Sequence, residues 1–236
     1  RNRVVKHLKK TWKKRKSLPH IQNPFQECRF RNSPGYYQFG YFGYNDAKYI
    51  NLLAKIYEAN APSLRYTSPQ IARYGKSNAV FGKKIRVGFM SKFLREHASG
   101  KYITGVIAKL SKKKIEVVIL STRDPFEDAD GDDDIVRTLR KRANKWVDVP
   151  LHSLEDTRSL IEAQNLDALV FCELGMEPSN YFLAFGRMAP LQIATHGHAS
   201  TSGITGSIDF YVTYKAFESP EAQRYYSERL VTMEGL

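Results

Sequence analysis

Residues 84–110 read KIRVGFMSKFLREHASGKYITGVIAKL, and this stretch decides the fold. It opens with a short apolar run at 85–91, passes through a polar turn, and continues into a segment whose apolar residues recur at helical spacing. A buried strand that leads through a turn into a helix is the repeating unit of a parallel sheet. The stretch therefore predicts that an α/β unit begins at residue 84.

The same alternation continues along the rest of the chain. Further strands are predicted at 115–120, 145–150, 166–171, 190–195 and 209–214, and further helices at 134–143, 153–164 and 179–188. These strands are almost wholly apolar, and such strands occur where helices cover both faces of a parallel sheet. We therefore expect one doubly wound α/β domain over residues 84–236.

The residues before this domain differ in composition. Residues 1–35 are predicted to form a basic lead-in and a turn-rich linker, and residues 36–83 a helical segment that precedes the domain. Within the segment, apolar side chains recur at helical spacing over 47–61 and Pro62 follows, which predicts an amphipathic helix that ends there. The aromatic patch GYYQFGYFGYND at 35–46 lacks the order of an RNA-binding strand, so we expect its rings to pack against the protein.

The positive charge is concentrated at the amino terminus. The 236 residues carry a formal net charge of +13, and residues 1–16 hold nine Lys or Arg and no acidic residue. Such a run is typical of a solvated, partly helical lead-in, and it also suits a nucleic-acid contact, a nuclear import signal or an acidic membrane surface. Because a DNA-binding fold would spread basic residues over one face, we do not expect nucleic acid to be the main partner.

Nothing in the sequence predicts a membrane span or a secreted chain. No run approaches the roughly 18 apolar residues of a transmembrane helix, and the amino terminus lacks the apolar block of a signal peptide. Cys172 lies in the apolar run ALVFC at 168–172, where a buried thiol is expected. We predict a soluble, cytoplasmic protein, or a nuclear one if the basic run directs import. The chain begins with arginine and is expected to be a segment of a longer protein.

Ligands of an open parallel sheet bind beyond the carboxyl ends of its strands, which selects four loops. The loop at 92–100 lacks both GxGxxG and a Walker A lysine. It places His97 just before a predicted helix, where the ring either meets a phosphate or sugar hydroxyl or neighbours the helix cap. The acidic loop at 121–134 has Phe126 and Arg137 where an EF-hand requires ligands, so we interpret it as solvated. The third loop is ELGMEPSN at 173–180.

The fourth loop, within ATHGHASTSG at 194–203, holds two histidines, three hydroxyl side chains and two glycines. His196 and His198, with His97, nominally make a three-histidine metal site, but the spacing matches no zinc pattern and no metal is predicted. Backbone amides and hydroxyl groups in a glycine-flanked loop suit a sugar or a diphosphate. A strand-to-strand turn with a helix cap stays open as the structural alternative.

The order of these motifs resembles a known family. Residues 85–110 are similar to the first strand, histidine loop and first helix of the O-linked N-acetylglucosamine transferase family, glycosyltransferase family 41, which includes bacterial N-glucosyltransferases and plant SPINDLY-type fucosyltransferases. Residues 166–214, LDALVFCELGMEPSNYFLAFGRMAPLQIATHGHASTSGITGSIDFYVTY, resemble its second block. The matching positions there are Arg187, Ala189, Pro190 and Gln192, then Asp209, Phe210 and Tyr211. The resemblance extends from about residue 36 to the end of the chain.

The resemblance implies a GT-B architecture, with two Rossmann-like halves and the nucleotide sugar in the cleft between them. This chain would supply the N-terminal catalytic half, preceded by its helical segment. The C-terminal half, which in the family holds most of the uridine diphosphate, and upstream tetratricopeptide repeats are expected to lie outside these residues.

The resemblance also implies site residues. His97 matches the histidine that faces the reacting sugar and would be the catalytic residue. The donor-sugar-binding positions would be Gly175, His196, Gly197, His198, Thr201, Ser202 and Gly203. Two stretches depart from the family: Ala199 stands where it usually has proline, and KFLRE at 92–96 replaces its Asp-Phe.

The implied function is transfer of a sugar, N-acetylglucosamine or another hexose, from a UDP-linked nucleotide sugar to a protein side chain, without a cofactor or metal. Its partners would be the nucleotide sugar and an acceptor protein. Two alternatives stay open. One is an inactive fragment or pseudoenzyme that acts as a binding module, and the other is a nucleic-acid-associated protein that uses the basic run.

Overall fold

The computed structural model describes residues 1–25, 40, 43–74, 83–123, 132–197 and 200–235. The helices are α1 (Asn2–Lys13), α2 (Ala47–Asn60), α3 (Pro69–Tyr74), α4 (Ala98–Lys109), α5 (Asp134–Arg142), α6 (Leu154–Glu162) and α7 (Pro178–Leu183). The strands are β1 (Tyr66–Thr67), β2 (Ile85–Ser91), β3 (Ile115–Ser121), β4 (Lys145–Asp148), β5 (Ala168–Phe171), β6 (Gly186–Arg187), β7 (Leu191–Thr195), β8 (Phe210–Tyr214) and β9 (Arg229–Met233).

Seven of these strands form one parallel sheet in the order β4-β3-β2-β5-β7-β8-β9. β2 lies where the strand order reverses, because it pairs with β3 on one side and with β5 on the other. The chain builds one wing of the sheet from β2 to β4 and then returns to β5 to build the other wing, which is the Rossmann-like arrangement. The predicted α/β class and its parallel sheet, of the kind that forms one half of a GT-B enzyme, are confirmed.

Helices bury both faces of the sheet, which explains why the middle positions of its central strands are apolar. On β3, Val118 and Leu120 belong to the cluster that α6 and α7 cover. Their neighbours Val117 and Ile119 belong to the cluster under α4 and α5. Because the middle positions of these strands face apolar clusters, polar residues such as Arg86, Glu116 and Gln192 lie near the strand ends.

The basic segment at the amino terminus forms α1, which packs on α2. Val5 and Leu8 of α1 are buried in the same cluster as Ile50 of α2. Arg1 donates to the buried carboxylate of Asp46 at 2.6 Å, which fastens the beginning of α1 to the beginning of α2. The segment is therefore an amphipathic helix whose apolar side packs on α2 and whose lysines are exposed.

Two features go beyond the predicted elements. β1 and β6 form a separate two-stranded parallel pair beside the main sheet, and β9 extends the main sheet at one edge. Most of the aromatic patch at 35–46 and of the acidic loop at 121–134 lies outside the described residues, so both interpretations stay predictions. None of the described helices has the length and apolarity that crossing a bilayer requires.

Gln192, one of the motif positions, is fully buried at the start of β7 and bonds only to backbone groups. Its Oε1 accepts from the amides of Met188, at 2.7 Å, and Ala189, at 3.3 Å. Its Nε2 donates to the carbonyls of Gly186, at 3.0 Å, and Ser207, at 2.7 Å. One side chain thus joins the segment before β7 to the segment before β8.

Arg187 and Asp209 complete this arrangement. The guanidinium donates from Nη1 to Asp209 Oδ2 at 2.7 Å and from Nη2 to Oδ1 at 2.9 Å. Asp209 Oδ2 also accepts from the Gln192 amide at 2.8 Å. Because these residues begin or precede parallel strands, they lie at the amino edge of the sheet, opposite the predicted ligand loops. The motif that carries much of the family resemblance therefore holds the backbone together.

The Gln192→Leu variant should lose about 3 kcal/mol or more of unfolding free energy, because several buried backbone groups lose their partner at about 1–3 kcal/mol each. Urea denaturation measures the loss. Gln70, which is only partly buried and donates to the Met188 carbonyl at 2.9 Å, provides the control. Gln70→Leu should cost at most about 1 kcal/mol, and equal losses in the two variants would contradict this account of Gln192.

Candidate functional site

His97 caps the amino end of α4. Its Nδ1 accepts a hydrogen bond from the amide of Ser99 at 3.1 Å. Its ring stacks on that of Phe93, with the centroids 4.6 Å apart and the planes 28° apart. Gly100 packs the first helical turn onto the preceding loop, since a Cβ there would come within 2.0 Å of the Arg95 carbonyl oxygen. The histidine is thus half-buried and held at the carboxyl edge of the sheet.

A buried carboxyl group, Glu173, lies at the same edge just after β5, and the sequence analysis missed it. Its Oε1 accepts from the Lys92 amide at 3.2 Å and from Asn180 Nδ2 at 3.1 Å. It also hydrogen-bonds with the side chain of Ser91. Asn180 Nδ2 further contacts Thr122 Oγ1 at 3.2 Å. Polar groups that follow β2, β3 and β5 therefore meet where the strand order reverses.

Burial raises the pKa of Glu173 to about 8, because desolvation outweighs the hydrogen bonds that favour its charged form. The negative charge of Glu177 raises the pKa in the same direction. Within the described residues, neither Glu173 Oε2 nor Asn180 Oδ1 has a hydrogen-bond partner. Glu173 is therefore mainly a neutral carboxylic acid at pH 7.

Gly197 brings the loop after β7 against the end of β5. A Cβ at this position would lie 2.1 Å from the Cys172 carbonyl oxygen and 2.9 Å from Glu173 Cβ, so only glycine fits. Thr195 Oγ1 donates to the same carbonyl at 2.9 Å. Cys172 itself is fully buried, as its apolar run predicts. The loop after β7 is thus in direct contact with the Cys172 carbonyl and with the Cβ of Glu173.

His196 lies in an aromatic cluster beside this contact. Its ring centroid is 4.4 Å from that of Tyr102 on α4, 4.8 Å from Tyr214 and 5.7 Å from Phe217. Burial lowers its pKa, and its buried Nδ1 has no partner among the described residues. His196 is therefore an uncharged side chain that packs the helix of His97 against the loop after β7.

Thr201 and Ser202 are buried and bond to a carboxylate of the chain itself. Thr201 Oγ1 donates to Glu228 Oε2 at 2.6 Å. The Ser202 amide donates to Glu228 Oε1 at 2.9 Å, and the Ser202 hydroxyl contacts the same oxygen. Gly203 has φ +70° and packs on α2, where a Cβ would lie 2.7 Å from Ile50. In this structure the hydroxyl groups that were assigned to the donor sugar anchor the end of the loop.

No family model matches the sequence, and no curated protein matches it. Among solved structures, the chain is similar to a point mutant of the O-GlcNAc transferase of Thermobaculum terrenum, with a TM-score of 0.66 and 24% sequence identity over 85% of this chain. The chain shares the fold of that transferase. It spans 37% of the transferase's length.

The transferase-like fold brings together some of the predicted site residues. Gly175 is buried with φ +101° in the loop that begins at Glu173, and Gly197 lies against Glu173. His97 lies at the end of the loop that Glu173 holds through Lys92. His198 and Ala199 fall outside the described residues.

The donor-binding roles of all these positions, and of Thr201, Ser202 and Gly203, remain predictions. In this structure the side chains of Thr201 and Ser202 contact Glu228 of the same chain. No group of three His, Cys, Asp or Glu within the described ranges is placed to hold a metal ion.

Because Glu173 is a buried acid, we expect the unfolding free energies of the wild type and Glu173→Gln to depend differently on pH. The folded pKa of Glu173, about 8, lies above its ordinary value of 4.5. Its contribution to stability is therefore present below the ordinary value and is lost as the pH rises through the folded value. Glutamine does not titrate. From about pH 5 to about pH 8.5, the unfolding free energy of the wild type should fall by a few kcal/mol relative to the variant. Parallel pH curves from urea denaturation would show that Glu173 is not a buried neutral acid.

Proposed function

We propose that the chain is the N-terminal catalytic half of a glycosyltransferase that moves N-acetylglucosamine or another hexose from a UDP-linked sugar to a protein side chain. The proposal is supported mainly by the transferase-like fold and by the carboxyl edge of its sheet. At this edge, where the strand order reverses, the loops that contain His97, Gly175 and Gly197 lie together. Ligands of open parallel sheets bind at this position. A C-terminal half, upstream tetratricopeptide repeats and an acceptor protein complete the proposed assembly.

The cap geometry gives His97 a definite role in this reaction. Because Nδ1 accepts from the Ser99 amide, the proton of the neutral ring lies on Nε2. Nε2 is then a hydrogen-bond donor, which suits an oxygen of the donor sugar or of the departing diphosphate. His97 therefore stabilises negative charge on the donor and does not, in this tautomer, take the proton from the acceptor.

The chain's other groups support the same chemistry. During transfer the bond from the anomeric carbon to the diphosphate oxygen breaks, the bond to the acceptor atom forms, and the acceptor's proton passes to the departing diphosphate. The positive end of the α4 dipole lies at His97, where it favours a developing negative charge. No metal is required in this proposal, because hydrogen-bond donors and the helix dipole face the leaving group.

Substitution of His97 separates capping from catalysis. Asn is among the best helix N-caps, so His97→Asn should keep the unfolding free energy within about 0.5 kcal/mol of the wild type, whereas His97→Ala should lose about 1 kcal/mol. Both variants lack Nε2–H, so both should transfer sugar roughly 10- to 100-fold more slowly in the full-length gene product. Sugar transfer and donor hydrolysis with UDP-linked and GDP-linked sugars measure this.

Two outcomes of that assay would overturn the proposal. Wild-type turnover in His97→Asn would remove His97 from the reaction. No turnover by the wild type with any donor, with retained nucleotide-sugar binding, would favour the binding-module alternative.

The exposed face of α1 supports a second candidate, nucleic-acid binding. Lys6, Lys10 and Lys13 are exposed and lie on one side of the helix, while Val5 and Leu8 pack on α2. Lysines in this arrangement can follow a phosphate backbone. Deletion of residues 1–16 would also expose the core, so charge reversal is the sharper experiment.

Nucleic-acid binding predicts that Lys6→Glu, Lys10→Glu and Lys13→Glu together weaken binding to duplex RNA at least about tenfold at low salt, because three phosphate contacts are lost. A matched control reverses the three exposed lysines at 112–114. Fluorescence anisotropy measures the affinities. If the two triple variants lose RNA affinity equally, the loss reflects only the change in net charge, and α1 is not the binding surface.

A further inference from the structure

Glu173 connects to His97 through a short series of contacts. The carboxyl group hydrogen-bonds with the Ser91 side chain at the end of β2. Ser91 Oγ in turn accepts from the amide of Phe93 at 2.8 Å. The ring of Phe93 stacks on the imidazole of His97. The place of the imidazole is thus tied to the buried acid by two hydrogen bonds and one ring contact.

A second contact holds the same loop. Glu173 Oε1 accepts from the amide of Lys92, the residue between Ser91 and Phe93. Glu173 and Ser91 are 1% and 0% exposed, so water does not compete for these bonds. The contacts therefore fix the first turn of the loop that leads to His97.

Glu173 also faces the other two loops of the edge. A Cβ added at Gly197 would lie 2.9 Å from the Cβ of Glu173, so the two residues are neighbours. The loop that begins at Glu173 continues into Gly175. The charged groups near it are Lys92 and Glu177, whose Nζ and Oε2 lie 3.9 Å apart. Glu173 thus contacts both the loop of His97 and the loop of Gly197.

We infer that Glu173 is a positioning residue for sugar transfer, which sets the place of the His97 imidazole through Ser91 and Phe93. This inference rests on the proposed function, in which His97 contacts the donor. Glu173 touches neither donor nor acceptor in this account. Its oxygen acts only as the acceptor that orients Ser91 and the Lys92 amide.

The structure provides a matched pair of substitutions that tests the link. Ser91 and Thr122 are both buried hydroxyl residues of the Glu173 cluster. Ser91→Ala removes the side-chain link from Glu173 to the Phe93 amide and leaves the bond from the Lys92 amide in place. Thr122→Ala removes a similar bond, to Asn180, which does not involve a side chain of the loop that leads to His97. A general loosening of the cluster would affect both variants equally.

The readout is the ring-proton NMR spectrum of His97 in the 236-residue chain, because stacking on Phe93 displaces these signals. Ser91→Ala should move them toward the positions of an unstacked histidine, and Thr122→Ala should leave them in place. Glu173→Gln keeps an acceptor oxygen and should retain the stacked signals, whereas folded Glu173→Ala should lose them. Unchanged His97 signals in Ser91→Ala, or equal changes in Ser91→Ala and Thr122→Ala, would overturn the inference.

Kinetics of the full-length gene product provide the second readout. Ser91→Ala should lower kcat roughly 10- to 100-fold with little change in KM, because a misplaced catalytic group slows the transfer step more than donor binding. Thr122→Ala should keep the wild-type kcat. If the wild type has no activity, the proposed function fails while the NMR comparison still decides whether Glu173 positions His97.

Discussion

Burial of both sheet faces is the constraint on which the rest of the structure depends. Alternate side chains of the central strands enter opposite apolar clusters, which leaves polar groups mainly at the strand ends. Polar groups lie at the amino and carboxyl edges of the sheet, and they differ in what they bind at each edge. At the amino edge, Gln192, Arg187 and Asp209 satisfy backbone groups and one another. At the carboxyl edge, polar groups that follow β2, β3 and β5 meet where the strand order reverses, the position at which open parallel sheets bind ligands.

The carboxyl edge is held by a group that is costly to bury. A carboxylate in this position would lose its hydration without a cationic partner at hydrogen-bond distance among the described residues, so the proton stays on Glu173 and its pKa rises. The neutral acid still accepts bonds from the loop that leads to His97. In the proposed reaction, such a preorganised edge would orient the donor sugar without reorganisation of its own.

The strands of the sheet, the helix after His97 and the burial of Cys172 could be predicted from the sequence, because each depends on local spacing or on an apolar run. Glu173 could not be predicted in the same way. It lies in the apolar stretch at 166–176, and its partners Ser91 and Lys92 are about 80 residues away in sequence. Similarly, the pattern at 194–203 does not say which way Thr201 and Ser202 face. Their partner Glu228 follows only after β8 and contacts them through the fold.

In the proposed reaction, the donor sugar binds at the carboxyl edge of the sheet, between the loops after β2 and β5. Hydrogen–deuterium exchange of the full-length gene product, with and without a UDP-linked sugar, tests where the donor binds. We expect slower exchange in peptides that cover 92–101 and 173–180, and unchanged exchange at the amino edge around 186–192. Protection confined to other parts of the protein, with these two loops unchanged at saturating donor, would contradict it.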